Sequence, residues 1–377
     1  MAEIQGSYED RFEPVAEALA RNLDDGADVG ASVAVFIDGE PVVDIWGGYT
    51  DAEGTAPWEE DTIVNVFSTT KTMTFVCALV LADRGELDFD APVAHYWPEF
   101  AEAGKRKVLV RHLLGHTAGL SGWEEPLEPE QLADWERCTS LLAGQEPWWE
   151  PGTQPGYHAV TQGYLIGEVV RRITDQSIGR FFADEVAGPL GADFFIGTPP
   201  EADARIGTLI PPPDASELIS SLGELGIRTL SNPVISGELT REEWWRRCEI
   251  PAANGHGNAR SVAAVQSVIS CGGEARGTRL LSGAGVEALF REQANGRDLV
   301  LGVPLRYGLG YGLASPTMPM TPRMCAWGGY GGSLVFNDLE RRSTVAYVMN
   351  RMEAGLVGDM RGAAIVLALA QVLMAPI

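Results

Sequence analysis

Ser68 and Lys71 stand three positions apart in the stretch Asn65-Val66-Phe67-Ser68-Thr69-Thr70-Lys71-Thr72-Met73-Thr74. A serine hydroxyl becomes a nucleophile when a neighbouring base takes its proton, and a lysine one helical turn away is placed to do so once its amine is neutral. The positive end of a helix disfavours an ammonium, and its free N–H groups can receive a developing oxyanion. S-x-x-K by itself also fits a plain helix cap. Rarity sets this lysine apart: Lys71, Lys105 and Lys107 are the three lysines of the chain, whose other basic side chains are arginines. Lysine, unlike arginine, can give up its proton when buried.

The elements around this pair follow from periodicity. Met73, Val76, Cys77, Val80 and Leu81 recur at the spacing of an amphipathic helix that Gly85 stops. Upstream, Phe12, Val15, Leu19 and Leu23 predict a helix. Residues 31–37 and 41–46 predict two strands joined by an Asp38-Gly39 hairpin turn and ended at Gly47-Gly48. Asp88 to Phe100 reads as a loop with Pro92 and Pro98. Arg111 to Leu120 reads as a short helix running into a turn, and Ser121 to Glu150 as irregular surface overhanging a pocket. A turn from Pro151 leads to Tyr157, with a helix through Tyr164, Leu165, Val169 and Val170. Residues 200–260, with Pro211-Pro212-Pro213 and several tryptophans, give the weakest pattern. Ser261 is the candidate cap of a helix through Val262, Val265, Val268 and Ile269. Strands are predicted at 307–313, 324–327, 333–337 and 343–349, and a buried closing helix at 359–374. Strands at both ends and helices between them make an α+β fold, in which an antiparallel sheet flanked by N- and C-terminal helices packs against a mostly helical lobe.

Composition excludes several classes. A formal net charge of −24 over 377 residues argues against nucleic acid and anionic membrane as partners. Five scattered cysteines, Cys77, Cys138, Cys248, Cys271 and Cys325, form no C-x-x-C pair, so neither a zinc site nor a disulfide framework is indicated and a reducing, cytoplasmic setting is expected. Met1-Ala2-Glu3-Ile4-Gln5 opens no signal peptide, and the apolar run at 363–370 is too short to span a bilayer. His112 and His116 are four apart but enclose no H-E-x-x-H glutamate, so structural hydrogen bonding is expected of them and no metal. No serine has glycine two positions before and two after, which excludes the nucleophile elbow of α/β-hydrolases.

Five stretches in order give the chain a resemblance. They are Ser68-Thr69-Thr70-Lys71, His112 to Leu120, Pro151-Gly152-Thr153 leading to Tyr157, Asn254 to Arg260, and Trp327-Gly328-Gly329-Tyr330-Gly331-Gly332. Together they resemble the serine β-lactamase/penicillin-binding-protein-like superfamily, and within it the family VIII carboxylesterases that share the class C β-lactamase fold. The resemblance covers about residues 15–374 and implies one β-lactamase/transpeptidase-like catalytic unit. Its sheet lobe would be 1–65 and 300–377, and its helical lobe 66–299. It implies Ser68 as the acylated nucleophile, Lys71 as its base and Tyr157 as partner in the proton transfer and in activating the deacylating water. The backbone N–H groups of Ser68 and Tyr330 would form the oxyanion hole, and Trp327, Gly328, Gly329 and Ala159 would contact substrate. No cofactor is implied. Burial, the helix end and the phenol together would lower the lysine from about 10.4 by roughly 2–3 units, the two groups titrating as a coupled pair.

Two departures from the family pattern bear on substrate. Trp327 takes the place of the Lys-Thr-Gly lysine that attracts the carboxylate of β-lactams, and Ala159 that of an asparagine that holds the substrate amide. Each lost contact removes about 1.5–3 kcal/mol of preference for anionic amides. A neutral ester with an apolar acyl group needs neither. Trp123, Trp135, Trp148, Trp149, Trp244 and Trp245 are candidates for an apolar pocket or for packing. The resulting expectation is a serine carboxylesterase for neutral short- to medium-chain esters or lactones, with a small-molecule ester as its partner. A β-lactamase or D-amino-acid peptidase, an acyltransferase on the same site, and a protein acylated without turnover are the alternatives. The natural substrate and any homo-oligomer are left open.

Overall fold

The helix that carries Lys71 is enclosed on every side, and the rest of the fold is its casing. The computed structural model describes residues 2–212 and 220–374; of the positions singled out above, Met1 and Pro213 lie outside the described residues. Helix α1 (Glu13–Asp24) leads to strands β2 (Gly30–Ile37) and β3 (Glu40–Gly48), with β1 (Gln5–Tyr8) paired outside β3. Then come helices α2 (Thr70–Asp83), α3 (Trp135–Gly144), α4 (Thr161–Thr174) and α5 (Ala259–Ser270). Strands β4 (Ala294–Arg297), β5 (Pro304–Tyr307), β6 (Gly312–Leu313), β7 (Met324–Gly328), β8 (Leu334–Asp338) and β9 (Ser343–Met349) follow, and α6 (Met360–Met374) closes the described chain. Among the described residues these strands make one antiparallel sheet in the order β1-β3-β2-β9-β8-β7-β6-β5-β4. β9, from one end of the chain, pairs with β2, from the other, in the register Val345 to Val35. Both strands are buried along nearly their whole length because α5 covers one face and α1 with α6 the other. This is the expected α+β architecture. The helix α5 and strand β4, from the middle of the chain, also belong with the sheet.

Local chemistry explains the elements. Asp38 and Gly39 both have positive φ, 51° and 84°, as the tightest hairpin turn requires. The N-cap of α5 is Asn258 and not Ser261. The Asn258 side chain accepts from Ser261 N at 2.9 Å, while Ser261 Oγ accepts from Asn258 N at 3.0 Å, a reciprocal capping box. The region 121–150 holds α3, capped by Asp134 accepting from Arg137 N at 3.0 Å, so it is not irregular throughout. Short helical turns at Val93–Tyr96 and Pro98–Ala101 replace part of the loop expected at 88–100. One face of α6 is buried through Ile365, Ala368 and Leu369, while Leu367 is exposed. Among the described residues no helix is long and apolar enough to cross a membrane.

The periodicity of α2 is misleading. Every residue from Thr70 to Leu81 is buried, so the helix has no solvent face over that length. Its threonines imitate a polar face, but their hydroxyls bond to chain packed around them. Thr70 Oγ1 accepts from Gly255 N at 2.8 Å and Thr74 Oγ1 donates to Pro251 O at 2.6 Å. Buried hydroxyls satisfied in this way are tolerated where unpaired ones are not.

The run 307–313 is two short strands, because Gly308 to Gly310 turn between them. Gly310 has φ +94°, and a β-carbon there would stand 2.3 Å from the Phe75 ring of α2. We expect Gly310→Ala to destabilise the fold by about 2–4 kcal/mol, since it combines backbone strain with overpacking. A urea denaturation midpoint unchanged from the parent would refute this.

Candidate active site

Ser68 lies in a single 3-10 turn, Phe67–Thr69, that runs into α2. Phe67 has φ +43°, uncommon for a bulky residue and the kind of local strain found at functional sites. The chain enters this turn from a short strand, Val64–Asn65, paired with Gly255–Gly257. Asn65 Nδ2 adds bonds to Ala253 O at 3.0 Å and Gly255 O at 3.1 Å. That pairing brings Ala252 alongside α2.

Lys71 is fully buried, and its Nζ has three partners: Ser68 Oγ at 2.9 Å, Ala159 O at 2.6 Å and Ala252 O at 2.9 Å. Among the described residues no carboxylate pairs with it, and burial holds its pKa well below the ordinary lysine value. A neutral amine fits these partners atom for atom. Its two N–H bonds serve the two carbonyls, and its lone pair is left facing the Ser68 hydroxyl.

Tyr157 OH lies 2.6 Å from Ser68 Oγ, so the serine hydroxyl sits between a phenol and an amine. The phenol is buried, and burial pushes its pKa upward, so it stays protonated and donates. Lys71 Nζ is 4.9 Å from the centre of the Tyr157 ring, close enough for the two groups to titrate together. The turn leading to Tyr157 is fixed by Gly152 N to Thr117 O at 2.8 Å and Gly156 N to His116 O at 2.9 Å. Gly156 has to be glycine, because a β-carbon would stand 2.6 Å from the Trp149 ring.

Behind Tyr157 lies a residue that sequence reasoning missed. Asp298 is fully buried; its Oδ1 accepts from Tyr157 N at 3.1 Å, Val300 N at 2.9 Å and Leu301 N at 2.8 Å. Its Oδ2 accepts from Tyr307 OH at 2.9 Å. Four donors let a carboxylate exist there without a cation, and its charge helps keep the Tyr157 phenol from ionising. Nothing in Gly296-Arg297-Asp298-Leu299 announces this role: the bonds to Val300 N and Leu301 N are those of an ordinary turn, and the partner that ties Asp298 to the site, Tyr157 N, lies 141 positions away.

The histidines near the site are neutral. His116 Nδ1 accepts from His158 N at 3.0 Å, and burial pushes its pKa far down. His158 Nε2 accepts from Leu120 N at 3.0 Å, with a pKa pushed down to about 3 by burial. His112 Nδ1 accepts from Leu109 N at 3.3 Å.

The remaining expected site residues separate into two groups. Gly329 and Tyr330 meet the Ser68 turn. A β-carbon on Gly329 would stand 2.3 Å from Val66 O and 3.2 Å from Ser68 N, and the Tyr330 ring packs edge-on to Phe67 at 5.3 Å. Tyr330 N–H donates to no acceptor among the described residues, so it is free for a ligand. Gly328 packs against Val357 and Gly358, away from Ser68. Trp327 does not line the cleft above Ser68 either. Its indole is fully buried behind Tyr157, with ring centres 5.5 Å apart, and stacks on His116 at 5.9 Å. Ala159 lines the cleft and gives its carbonyl to Lys71.

The cleft above Ser68 encloses about 140 Å³ and opens to solvent. Its lining includes Phe67, Tyr157, Val160 and Tyr330 together with Thr229, Leu230, Pro233 to Ser236 and Leu356. None of the described residues lining it is charged. None of the six tryptophans named above lines it either. Trp123 packs on Tyr164, Trp135 Nε1 donates to Glu168, and Trp148 Nε1 donates to Glu124. Trp149 Nε1 donates to Gln154 O, and Trp244 packs edge-on to Trp245. The lining residues between 229 and 236 fall in the stretch whose sequence pattern was weakest.

A family model described as Beta-lactamase matches residues 15–370. The esterase/beta-lactamase LipL of Mycobacterium tuberculosis is 36% identical over 370 residues, which is 94% of this chain and 84% of that protein. The crystal structure of a family VIII carboxylesterase superposes with a TM-score of 0.93 at 40% identity, covering 98% of this chain and all of the other. A penicillin-binding-protein homologue from Caulobacter crescentus does so with a TM-score of 0.91 at 35% identity, over 98% of this chain and all of that one.

The Asp298 bonds generate a prediction. Asp298→Ala strands three buried N–H groups and is expected to cost about 3 kcal/mol or more. Asp298→Asn keeps Oδ1 in place and stays within about 1 kcal/mol of the parent. Equal losses for both variants in a denaturant titration would show that the charge, and not the acceptor, holds the turn.

Proposed function

The chain belongs to the β-lactamase family, and on that premise we propose that it is a serine carboxylesterase working through an acyl-Ser68 intermediate on neutral short- to medium-chain esters, lactones included. The observation that carries this reading is the position of Ser68 Oγ, 2.9 Å from the amine of Lys71 and 2.6 Å from the phenol of Tyr157. The esterase names among its relatives support the ester bond as the target.

Each group has one task. Neutral Lys71 takes the Ser68 proton as Oγ attacks the ester carbonyl carbon, and charge develops on the carbonyl oxygen. The N–H groups of Ser68 and Tyr330 receive that charge; one such donor is typically worth about 3–4 kcal/mol. When the tetrahedral adduct collapses, the departing alkoxide takes a proton from Tyr157, which recovers one from the Lys71 ammonium. Water then attacks acyl-Ser68 over the same pair, giving its proton to Lys71, and Ser68 leaves with a proton returned through the pair. Because burial raises the phenol, Tyr157 serves as donor and relay while the amine is the base.

The uncharged cleft supports the substrate class. A β-lactam brings a carboxylate that finds no cation on the described walls and no side-chain amide at Ala159. A neutral acyl chain finds Leu230, Pro233, Val234 and Ile235.

Three measurements test the reading. Ser68→Ala should abolish p-nitrophenyl butyrate turnover, and intact-mass spectrometry of the parent should place one acyl group on Ser68; a Ser68→Ala protein that still turns over refutes it. The kcat/KM for nitrocefin should lie about one to two powers of ten below that for the butyrate ester. The pH profile follows from the two shifts. Lys71 works deprotonated, so activity is lost as pH falls through its lowered pKa. Tyr157 works protonated, and its pKa is raised, so no fall should appear from neutral pH into the mildly alkaline range. A bell centred near neutrality would contradict this pairing.

A further inference from the structure

We propose that the Ser333 hydroxyl is a positioning residue that sets the distance between the two oxyanion donors, Ser68 N–H and Tyr330 N–H. The inference rests on Ser68 being the nucleophile. The two donors sit on separately built pieces of the fold: Ser68 on the turn before α2, and Tyr330 on the turn between β7 and β8. An oxyanion hole works only when both N–H groups converge on one oxygen, so something must fix one turn against the other.

Ser333 makes that connection. Its Oγ donates to Val66 O at 2.8 Å, two residues before Ser68. Its single proton being used there, the Thr69 hydroxyl is the donor in the 2.8 Å contact between Thr69 Oγ1 and Ser333 Oγ, one residue after Ser68. The hydroxyl therefore grips the Ser68 turn on both sides of the nucleophile. On its own side, Ser333 O accepts from Gly329 N at 2.8 Å, closing the turn that presents Tyr330. Among the described residues, the hydrogen bonds that cross between the two turns are the two made by this hydroxyl.

Apart from the edge-on packing of the Tyr330 ring against Phe67, the other anchors of the Tyr330 turn, which are hydrogen bonds, lead elsewhere. Gly331 O accepts from Arg361 Nη2 at 2.6 Å and Gly331 N donates to Gly355 O at 2.9 Å, which tie the turn to its own lobe. The space between the turns is closed as well: a β-carbon on Gly329 would stand 2.4 Å from Ser333 Oγ and 2.3 Å from Val66 O. The backbones are drawn to the limit that glycine allows. Stability does not call for hydroxyls here. Ser333 and Thr69 are buried, and replacing both partners of a buried hydrogen bond by apolar groups of similar shape is close to neutral. The pair therefore holds geometry that alanine and valine would not.

The experiment compares Ser333→Ala, Thr69→Val and the double variant with the parent. It reads kcat and KM for p-nitrophenyl butyrate, Ki for phenylboronic acid as a tetrahedral adduct former, and the denaturation midpoint. Ser333→Ala should lower kcat about 10- to 100-fold with KM within about threefold, and raise the boronate Ki by a similar factor. Thr69→Val should act in the same direction, and the double variant should be no worse than Ser333→Ala, because both remove one connection. A kcat for Ser333→Ala within twofold of the parent overturns the proposal. So does a loss of activity that follows the folded fraction while the boronate Ki stays put. Failure of the underlying reading is distinguished by Ser68→Ala, which would then keep its turnover.

Discussion

A primary amine sealed inside the protein without a counter-charge is the constraint on which the rest of the structure depends. Among the described residues Lys71 meets two main-chain carbonyls and the Ser68 hydroxyl, and no carboxylate. An ammonium left there would carry a desolvation cost far above what three hydrogen bonds return, so the stable form is the free amine. Placing an amine in that state requires a helix covered on all sides, and α2 is one. The segments bearing Ala159 and Ala252 must then pass close enough to occupy its N–H groups. One does so through the Gly152–Gly156 turn and the other through the strand pair at 64–65 and 255–257.

The same logic extends to Tyr157, the second proton carrier of the proposed mechanism. Tyr157 is kept a phenol by burial and by the Asp298 carboxylate behind it, whose own charge is absorbed by three N–H groups and the Tyr307 hydroxyl. Trp327 adds an uncharged ring at the place where the family's β-lactam hydrolases carry a lysine. A second ammonium so close would pull the phenol toward ionisation and make protonation of Lys71 harder still. On the proposed mechanism the tryptophan thus bears on proton transfer through the charge it does not bring, although it does not line the cleft.

Much of this was legible in the sequence where the signal is local. Ser68 and Lys71 lie on one turn, Asp38-Gly39 makes its hairpin, and the strands at 324–328, 334–338 and 343–349 fall close to where alternation and turn residues place them. What was lost depends on distant partners. The threonines of α2 look like a solvent face until Gly255 and Pro251 are seen to bond them. Asn258 takes the cap from Ser261, one turn earlier, because both belong to one reciprocal motif. Of the two readings open for the tryptophans, the structure takes packing, a choice that size and apolarity alone do not make. The lining residues Thr229, Leu230 and Pro233 to Ser236 are small and branched, without a periodic signature. Asp298 and Ser333 are invisible for a related reason: each acts on main-chain atoms that sequence does not distinguish.

The cleft lining also bears on how an ester would be chosen. Ser68, Lys71, Tyr157 and the Tyr330 turn are each locked into the interior by bonds from several elements, so a change at any of them disturbs the others. The rest of the cleft lining comes largely from Thr229, Leu230, Pro233, Val234, Ile235 and Ser236 with Leu356, and Val234 is 54% exposed. None of those residues hydrogen-bonds to the serine, the amine or the phenol. On the proposed function, reaction type and substrate choice therefore rest on separate stretches of chain. The proposed proton-transfer groups would then stay in place while residues of that segment set which ester fits.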